Sequence, residues 1–275
     1  MTHLLLAARL DVAESARSRW FLLYAGVFGL LVALMLIFGL AESRVMGFTG
    51  LSRLLVTYVQ VAMAILPVFI LITTVRSIAG DREAGVTEYM LSLPVPLAAW
   101  YWGKFAGRFL VAFLPVLATL GIAVGWGLMA GGEVPWGHLA ADLALLVSLI
   151  VCFLGFGFLI SSVARSTDVA QGAAFFLWLV LLVFMDLVML GVLIREHLPP
   201  ELAVTVALAN PLQVFRTASM MLFDPQLVLL GPAAYVILDH FGPTGWLAWG
   251  IAYPAGLGGV AAGAGYLVVR RGDLV

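Results

Sequence analysis

The stretch Arg76-Ser77-Ile78-Ala79-Gly80-Asp81-Arg82-Glu83-Ala84-Gly85, continuing through Leu93-Pro94-Val95-Pro96 to Gly103-Lys104-Phe105-Ala106-Gly107-Arg108, decides how the chain is read. It is the longest polar interruption in a sequence that is otherwise lipid-soluble. Charges of both signs crowd its first third, an amphipathic piece follows, and Lys104 and Arg108 precede the next apolar run. Between two membrane spans such a segment has to lie in water, on the side that collects positive charge. It reads as a handle by which another protein grips this one.

Working outward, the rest of the 275 residues is 63% hydrophobic and 11% charged, with a mean hydropathy of +1.11. An ordinary soluble domain is roughly 45–50% apolar and about 25% charged. The chain therefore reads as an all-α polytopic membrane protein in a single domain, residues 1–275. A net charge of −1 offers no footprint for nucleic acid and no polybasic lipid-binding tail. The single cysteine, Cys152, lies in an apolar run and leaves no disulfide framework.

Residues 1–20 mix Leu4, Leu5, Leu6, Leu10 and Val12 with Arg9, Asp11, Glu14 and Arg17, the pattern of an amphipathic helix lying in the headgroup plane. Spans are expected at 21–41, 56–78, 109–130, 139–163, 169–194 and 245–269, each long enough for a hydrocarbon core of roughly 30 Å. Arg9, Arg17 and Arg19 precede the first, which reads as an uncleaved anchor. Residues 79–108 form the handle. The region 195–244 is broken by Pro199-Pro200, Asn210-Pro211, Asp224-Pro225, Gly231-Pro232 and Gly242-Pro243, and reads as short helices capping the outer face. Most Lys and Arg fall on one side of this six-span arrangement, which puts both termini and the handle in the cytoplasm.

Residues with catalytic or metal-binding potential are few. Gly103-Lys104 lacks the earlier glycine and the following Ser or Thr of a phosphate-binding loop, having Ala98 and Phe105 there. His138 and Asp142, one turn apart, supply only two ligands, which favours an interfacial polar pair over a metal site. Met185, Met189, Met220 and Met221 have thioethers suited to Cu(I), but methionine also fills gaps in cores. Asp186 is the polar residue set deepest in a span; it either lines a pathway or reaches water near the outer boundary. Gly121/Gly125 and Gly259/Gly263 are small-residue pairs that permit close helix contact. Ser161 and Ser162 have no histidine near them in sequence, so no nucleophile–base constellation is present and the chain is not expected to be an enzyme by itself.

An amphipathic start, Ala8-Arg9-Leu10-Asp11 leading to Arg17-Ser18-Arg19-Trp20, then Ala79-Gly80-Asp81-Arg82-Glu83-Ala84-Gly85, Leu93-Pro94-Val95 and Gly103-Lys104-Phe105-Ala106-Gly107-Arg108 together resemble the membrane subunit of a type-2 ABC exporter. The resemblance covers the whole chain. Within that family it is most similar to the NosY-type permeases of nitrous oxide reductase maturation, through Gly47-Phe48-Thr49 and Asn210-Pro211-Leu212-Gln213-Val214-Phe215-Arg216. Two departures stand out: Val86 follows the glycine where the family tends to have Thr, and Pro96-Leu97 follows Leu-Pro-Val where it favours Ser-Arg.

The resemblance implies an in-plane N-terminal helix, a coupling helix between spans two and three, and re-entrant helices before the last span. It places the chain in a bacterial inner membrane as a homodimer bound to two cytoplasmic ATPase subunits, which would hold the ATP and Mg; this chain would bind no cofactor. Asp81, Arg82, Glu83, Gly85 and Glu88 would couple to the ATPase, and Asn210, Pro211, Phe215 and Arg216 would meet a periplasmic accessory protein. The implied task is copper-site maturation of nitrous oxide reductase; the alternative is general export of a lipid, drug or peptide.

Overall fold

The computed structural model describes residues 2–39, 50–92, 94–129, 134–184, 208–222 and 232–271, and among these it contains helices and no strand. In chain order they are α1 (Thr2–Ala16), α2 (Arg19–Gly39), α3 (Gly50–Thr74), α4 (Arg76–Glu83), α5 (Val86–Ser92), α6 (Leu97–Met129), α7 (Trp136–Val163) and α8 (Thr167–Leu179). A π-turn (Val180–Phe184) extends α8; α9 (Pro211–Met221) and α10 (Pro232–Arg271) follow. Among the described residues, four helical stretches are long and apolar enough to cross a membrane, beginning at Tyr58, Leu97, Trp136 and Leu238. The bent pair α1–α2 raises this to five. Asp186, Met185, Met189 and the Gly47–Thr49 segment lie outside the described residues.

Three features depart from the spans expected of the sequence. First, the helix of the third span begins at Leu97 rather than near Phe109, so the Gly103–Arg108 motif occupies its opening turns. Without a helix breaker between Leu97 and Phe109, charged residues snorkel at the helix end instead of ending the helix. Second, the helix of the second span stops at Thr74, and α4 restarts at Arg76 after a single turn residue. Third, the last helix starts at Pro232 and is kinked at Gly242, whose φ of 64° lies in the left-handed region that glycine enters freely.

The amphipathic start is a helix, and it turns 70° away from the apolar run that follows it. Leu5, Leu6 and Leu10 stay exposed on one face of α1, while Ala8, Asp11 and Ser15 are buried on the other against α6. That contact depends on Gly103 and Gly107. A Cβ at Gly103 would lie 2.5 Å from Ala7 Cβ, and one at Gly107 would lie 2.9 Å from Ala8 O. One turn apart, the two glycines make a bare strip on which the α1 backbone lies.

The middle of the bundle is α7, which packs on α10 and α3. Helices α7 and α10 run parallel in register: Ser148 Oγ donates to Ile251 O at 2.6 Å, and a Cβ on Gly155 would sit 2.0 Å from Gly258 O. In lipid there is no hydrophobic drive between helices, so this backbone proximity carries the seam. By contrast, among the described residues nothing lies within 4 Å of a Cβ at Gly121, Gly125, Gly259 or Gly263, so the small-residue pairs picked out by spacing do not pack against any of them. A second seam is aromatic: Tyr24 stacks on Phe69 with ring centroids 3.7 Å apart. Tyr24 and Tyr58 donate to Ala112 O and Val116 O of α6, on either side of Pro115.

Candidate coupling site

The polar handle folds as two short helices with a glycine joint. Helix α4 ends by backbone bonds from Ala84 N–H to Gly80 O and from Gly85 N–H to Arg82 O. Gly85 then takes a φ of 68°, reversing the chain into α5. The start of α4 is held differently. Ser161 Oγ, from the end of α7, donates to Val75 O at 2.7 Å and accepts the N–H groups of Ile78 and Ala79 at 3.0 Å. A single buried hydroxyl thus satisfies three backbone groups that the break between α3 and α4 would orphan.

Charged side chains complete the attachment. Lys104 Nζ donates to Asp81 Oδ2 and, at 3.1 Å, to Ser77 O, joining α6 to α4. One turn along α6, Arg108 donates through Nε to Asp11 Oδ1 of α1 and through Nη1 to Thr73 O of α3, each at 3.2 Å. The Gly-Lys-Phe-Ala-Gly-Arg motif therefore has two sets of paired positions: glycines that accept α1, and cations that reach α1, α3 and α4. Burial raises the pKa of Asp11 above the ordinary carboxylate value, opposed by the positive charges of Arg108 and Lys104.

Arg82 and Glu83 reach the α7–α8 connection. Arg82 donates through Nη1 to Ala164 O at 3.1 Å and through Nη2 to Ser162 O at 3.2 Å. Glu83 accepts the Thr167 N–H at 2.9 Å on Oε1 and the Thr167 hydroxyl at 2.7 Å on Oε2. The guanidinium thus meets the carbonyl end of α7 and the carboxylate meets the amide end of α8, each charge matched to the helix dipole it faces. Ser166, with extended backbone, caps the same α8 terminus by accepting the Val169 N–H. These donors at Thr167 lower the pKa of the exposed Glu83.

Helix α5 is the part left outward. Tyr89 is 65% exposed and Val86 41%, large side chains on a short helix that the described residues leave uncovered. A groove of about 580 Å³ separates α5 from α1, lined by Leu10, Glu14, Arg17, Val86, Met90 and Trp100 among others. Among the residues expected to couple, Asp81, Arg82 and Glu83 are engaged within the chain and Gly85 makes the turn. Glu88 is on α5.

At the far end, α9 is buried rather than a free cap. Asn210 accepts the Leu212 N–H and donates to Leu181 O of the π-turn at 2.6 Å, with Pro211 in the first turn behind it. Asn210 and Phe215 are 1% and 0% exposed, so of the four residues expected to meet an outer partner only Arg216 keeps a half-buried edge. Asp142 is buried, and His138, one turn before it on α7, is exposed. Among the described residues, no three His, Cys, Asp or Glu side chains come together. Sequence reasoning missed Asp11, Ser161 and Thr167. The usable signal was a Ser, Thr or Asp one or two residues from the end of an apolar run, where backbone groups need partners.

Comparison with known proteins agrees with this architecture. The family profile described as "ABC-2 family transporter protein" matches residues 5–231. The "Probable ABC transporter permease protein NosY" of Pseudomonas aeruginosa is 29% identical over 223 residues, covering 79% of this chain and 81% of the relative. The protein of the same description from Stutzerimonas stutzeri is 27% identical over 226 residues, with the same coverage. The profile takes in α1, the handle, the α7–α8 connection and α9, and on that match the chain belongs to the ABC-2 family of transporter proteins, as a multi-pass membrane permease.

Proposed function

We propose that this chain is the membrane subunit of an ATP-driven transporter, and that a cytoplasmic ATPase subunit docks on α5 and the Gly85 turn. The observation that carries the proposal is the division of labour in the handle. Helix α4 is tied to α6, α7 and α8 by hydroxyls, a cation and helix ends, whereas α5 presents Val86 and Tyr89 outward. A partner that moved α5 would therefore load the whole polar end of the bundle at once.

In this reading the chain has six spans with both termini in the cytoplasm, acts as a homodimer in a bacterial inner membrane, and leaves ATP and Mg to two ATPase subunits. Asp81, Arg82 and Glu83 lie behind the docking surface and couple it to the rest of the chain, while Glu88 and Gly85 lie at the contact. The two NosY relatives, each sharing 81% of its length with the chain, support a role of the NosY type. We accordingly propose copper-site maturation of nitrous oxide reductase as its task, with an accessory protein on the periplasmic side near Arg216.

Gentle purification of the tagged chain from native membranes, with mass spectrometry of its companions, tests this. An ATPase with a periplasmic protein is the expected result. An ATPase alone would replace the maturation role with general export of a lipid, drug or peptide. The absence of any ATPase would overturn the transporter reading. Replacing Val86 and Tyr89 with Asp should abolish ATPase capture and leave the melting temperature of the chain unchanged.

A further inference from the structure

We propose that Arg82 and Glu83 form a transmission clamp that carries movement of the handle into α8 through the Ala164–Ser166 connection, a second arm beside the covalent one through α3. This rests on the ATPase docking on α5 proposed above.

Three observations support the clamp. Helix α4 forms a short rod between Val75, where the backbone stays right-handed helical and Ser161 takes up its polar groups, and the left-handed Gly85. The side chains of the rod reach the two facing helix ends: Arg82 takes the last carbonyls of α7, and Glu83 takes the first amide and the hydroxyl of Thr167 on α8. Glu83 and Thr167 are solvent-accessible, whereas Ser161, which pins the other end of the rod, is fully buried. The contact to α8 can therefore open and close without unpacking the core, while the contact to α7 stays fixed. A push on α5 would then pull selectively on the start of α8. Gly80, in the same rod, faces the Thr167 methyl, with its would-be Cβ 3.6 Å away, so the two elements meet at van der Waals distance as well.

The test uses the full chain assembled with its co-purified ATPase in lipid nanodiscs. Nitroxide labels at exposed Phe176 on α8 and exposed Leu110 on α6 report the distance between the two helices with and without Mg-ATP; the buried Cys152 stays unlabelled. With E83A or T167V we expect ATPase binding within about twofold of the unaltered chain and an ATP-driven distance change reduced about fivefold or more. The double variant should be no worse than E83A alone, because E83A removes both bonds and T167V only the hydroxyl one. T167S, which keeps the hydroxyl, should restore the change.

A full ATP-driven change in E83A, or additive losses in the double variant, would overturn the clamp while leaving the ATPase assignment intact. Loss of ATPase binding in E83A in step with the distance change would also overturn it, by making Glu83 part of the docking face. If the unaltered chain bound no ATPase, the function proposed above would fail first, and the clamp with it.

Discussion

The polar end of the bundle and the α7–α10 seam solve the same problem by opposite means. At the seam the helices approach until backbone meets backbone, with Gly155 against Gly258, Gly250 against Ala218 of α9, and one hydroxyl bond from Ser148. At the polar end α1 also lies on glycines of α6, but α4 is joined to α6, α7 and α8 by Lys104, Arg82, Glu83 and Ser161, and Arg108 joins α6 to α1 and α3. The difference follows from the solvent. In the hydrocarbon, long polar side chains are costly and the absence of side chains is useful. In the headgroup region, charges are solvated until they find a helix end or an opposite charge, so they can bridge gaps and release again. The seam is suited to staying closed and the polar end to moving.

The sharpest way to break that contrast is at the seam. Gly155→Leu should abolish folded yield, exceeding the ~1–3 kcal/mol of ordinary overpacking because the obstacle at 2.0 Å is the Gly258 carbonyl. Gly121→Leu, with open space around its Cβ, should be tolerated, and a melting curve of the detergent-solubilised chain distinguishes the two.

Next in size is Arg108→Met, which strands the buried Asp11 carboxylate and should cost about 3–5 kcal/mol at neutral pH. Because burial raises the pKa of Asp11, its protonated form is the one folding favours. The stability contributed by protonation is complete below the unfolded pKa and lost as pH rises through the folded value. Acidification should therefore raise the melting temperature of R108M relative to the unaltered chain. Adding D11N should recover most of the loss at neutral pH. A melting curve for R108M that does not respond to pH would show that Asp11 has another partner.

Ser161→Ala removes one donor and two acceptor contacts inside the bundle and should cost about 1–3 kcal/mol. Ser161→Thr keeps the hydroxyl and should cost less. Amide exchange at Ile78 and Ala79 should quicken in S161A before the rest of the bundle responds, since those two N–H groups lose their partner.

The smallest effect on stability belongs to Glu83. Its folded pKa is lowered by the two Thr167 donors, so its contribution is present above the ordinary value of 4.5 and is lost as pH falls through the folded value. Between neutral pH and that value, the Thr167 amide should stay protected from exchange. In E83A, which removes the acceptor of that amide, protection should fall, with little change in melting temperature. A large melting shift in E83A would mean that the polar end is as rigid as the seam.

Much of this could be read in the residues. The apolar runs, the in-plane start and the position of the handle follow from hydropathy and charge alone, and Asp81, Arg82, Glu83, Lys104 and Arg108 all stand out as charges next to spans. The spacing of Gly103 with Gly107 and of Lys104 with Arg108 is visible too, but what each pair touches is not. Ser161 was weighed only as a nucleophile. Asn210, Pro211 and Phe215 were placed at an outer partner by resemblance alone, and the amphipathic pattern of α9 turns them inward.

The sequence by itself determined which segments are apolar enough to enter lipid and which are polar, because transfer free energy is a property of composition summed over about twenty residues. It also determined where charge gathers. Only the tertiary structure decided which glycines are contacts and which charges are already engaged. Those depend on what stands opposite in space: Gly155 and Gly121 are alike in sequence, yet one faces a backbone carbonyl and the other open space. In the same way Glu83 is one charge among several in the handle, and the fold brings up a helix end, more than eighty residues away in the chain, for its carboxylate to hold.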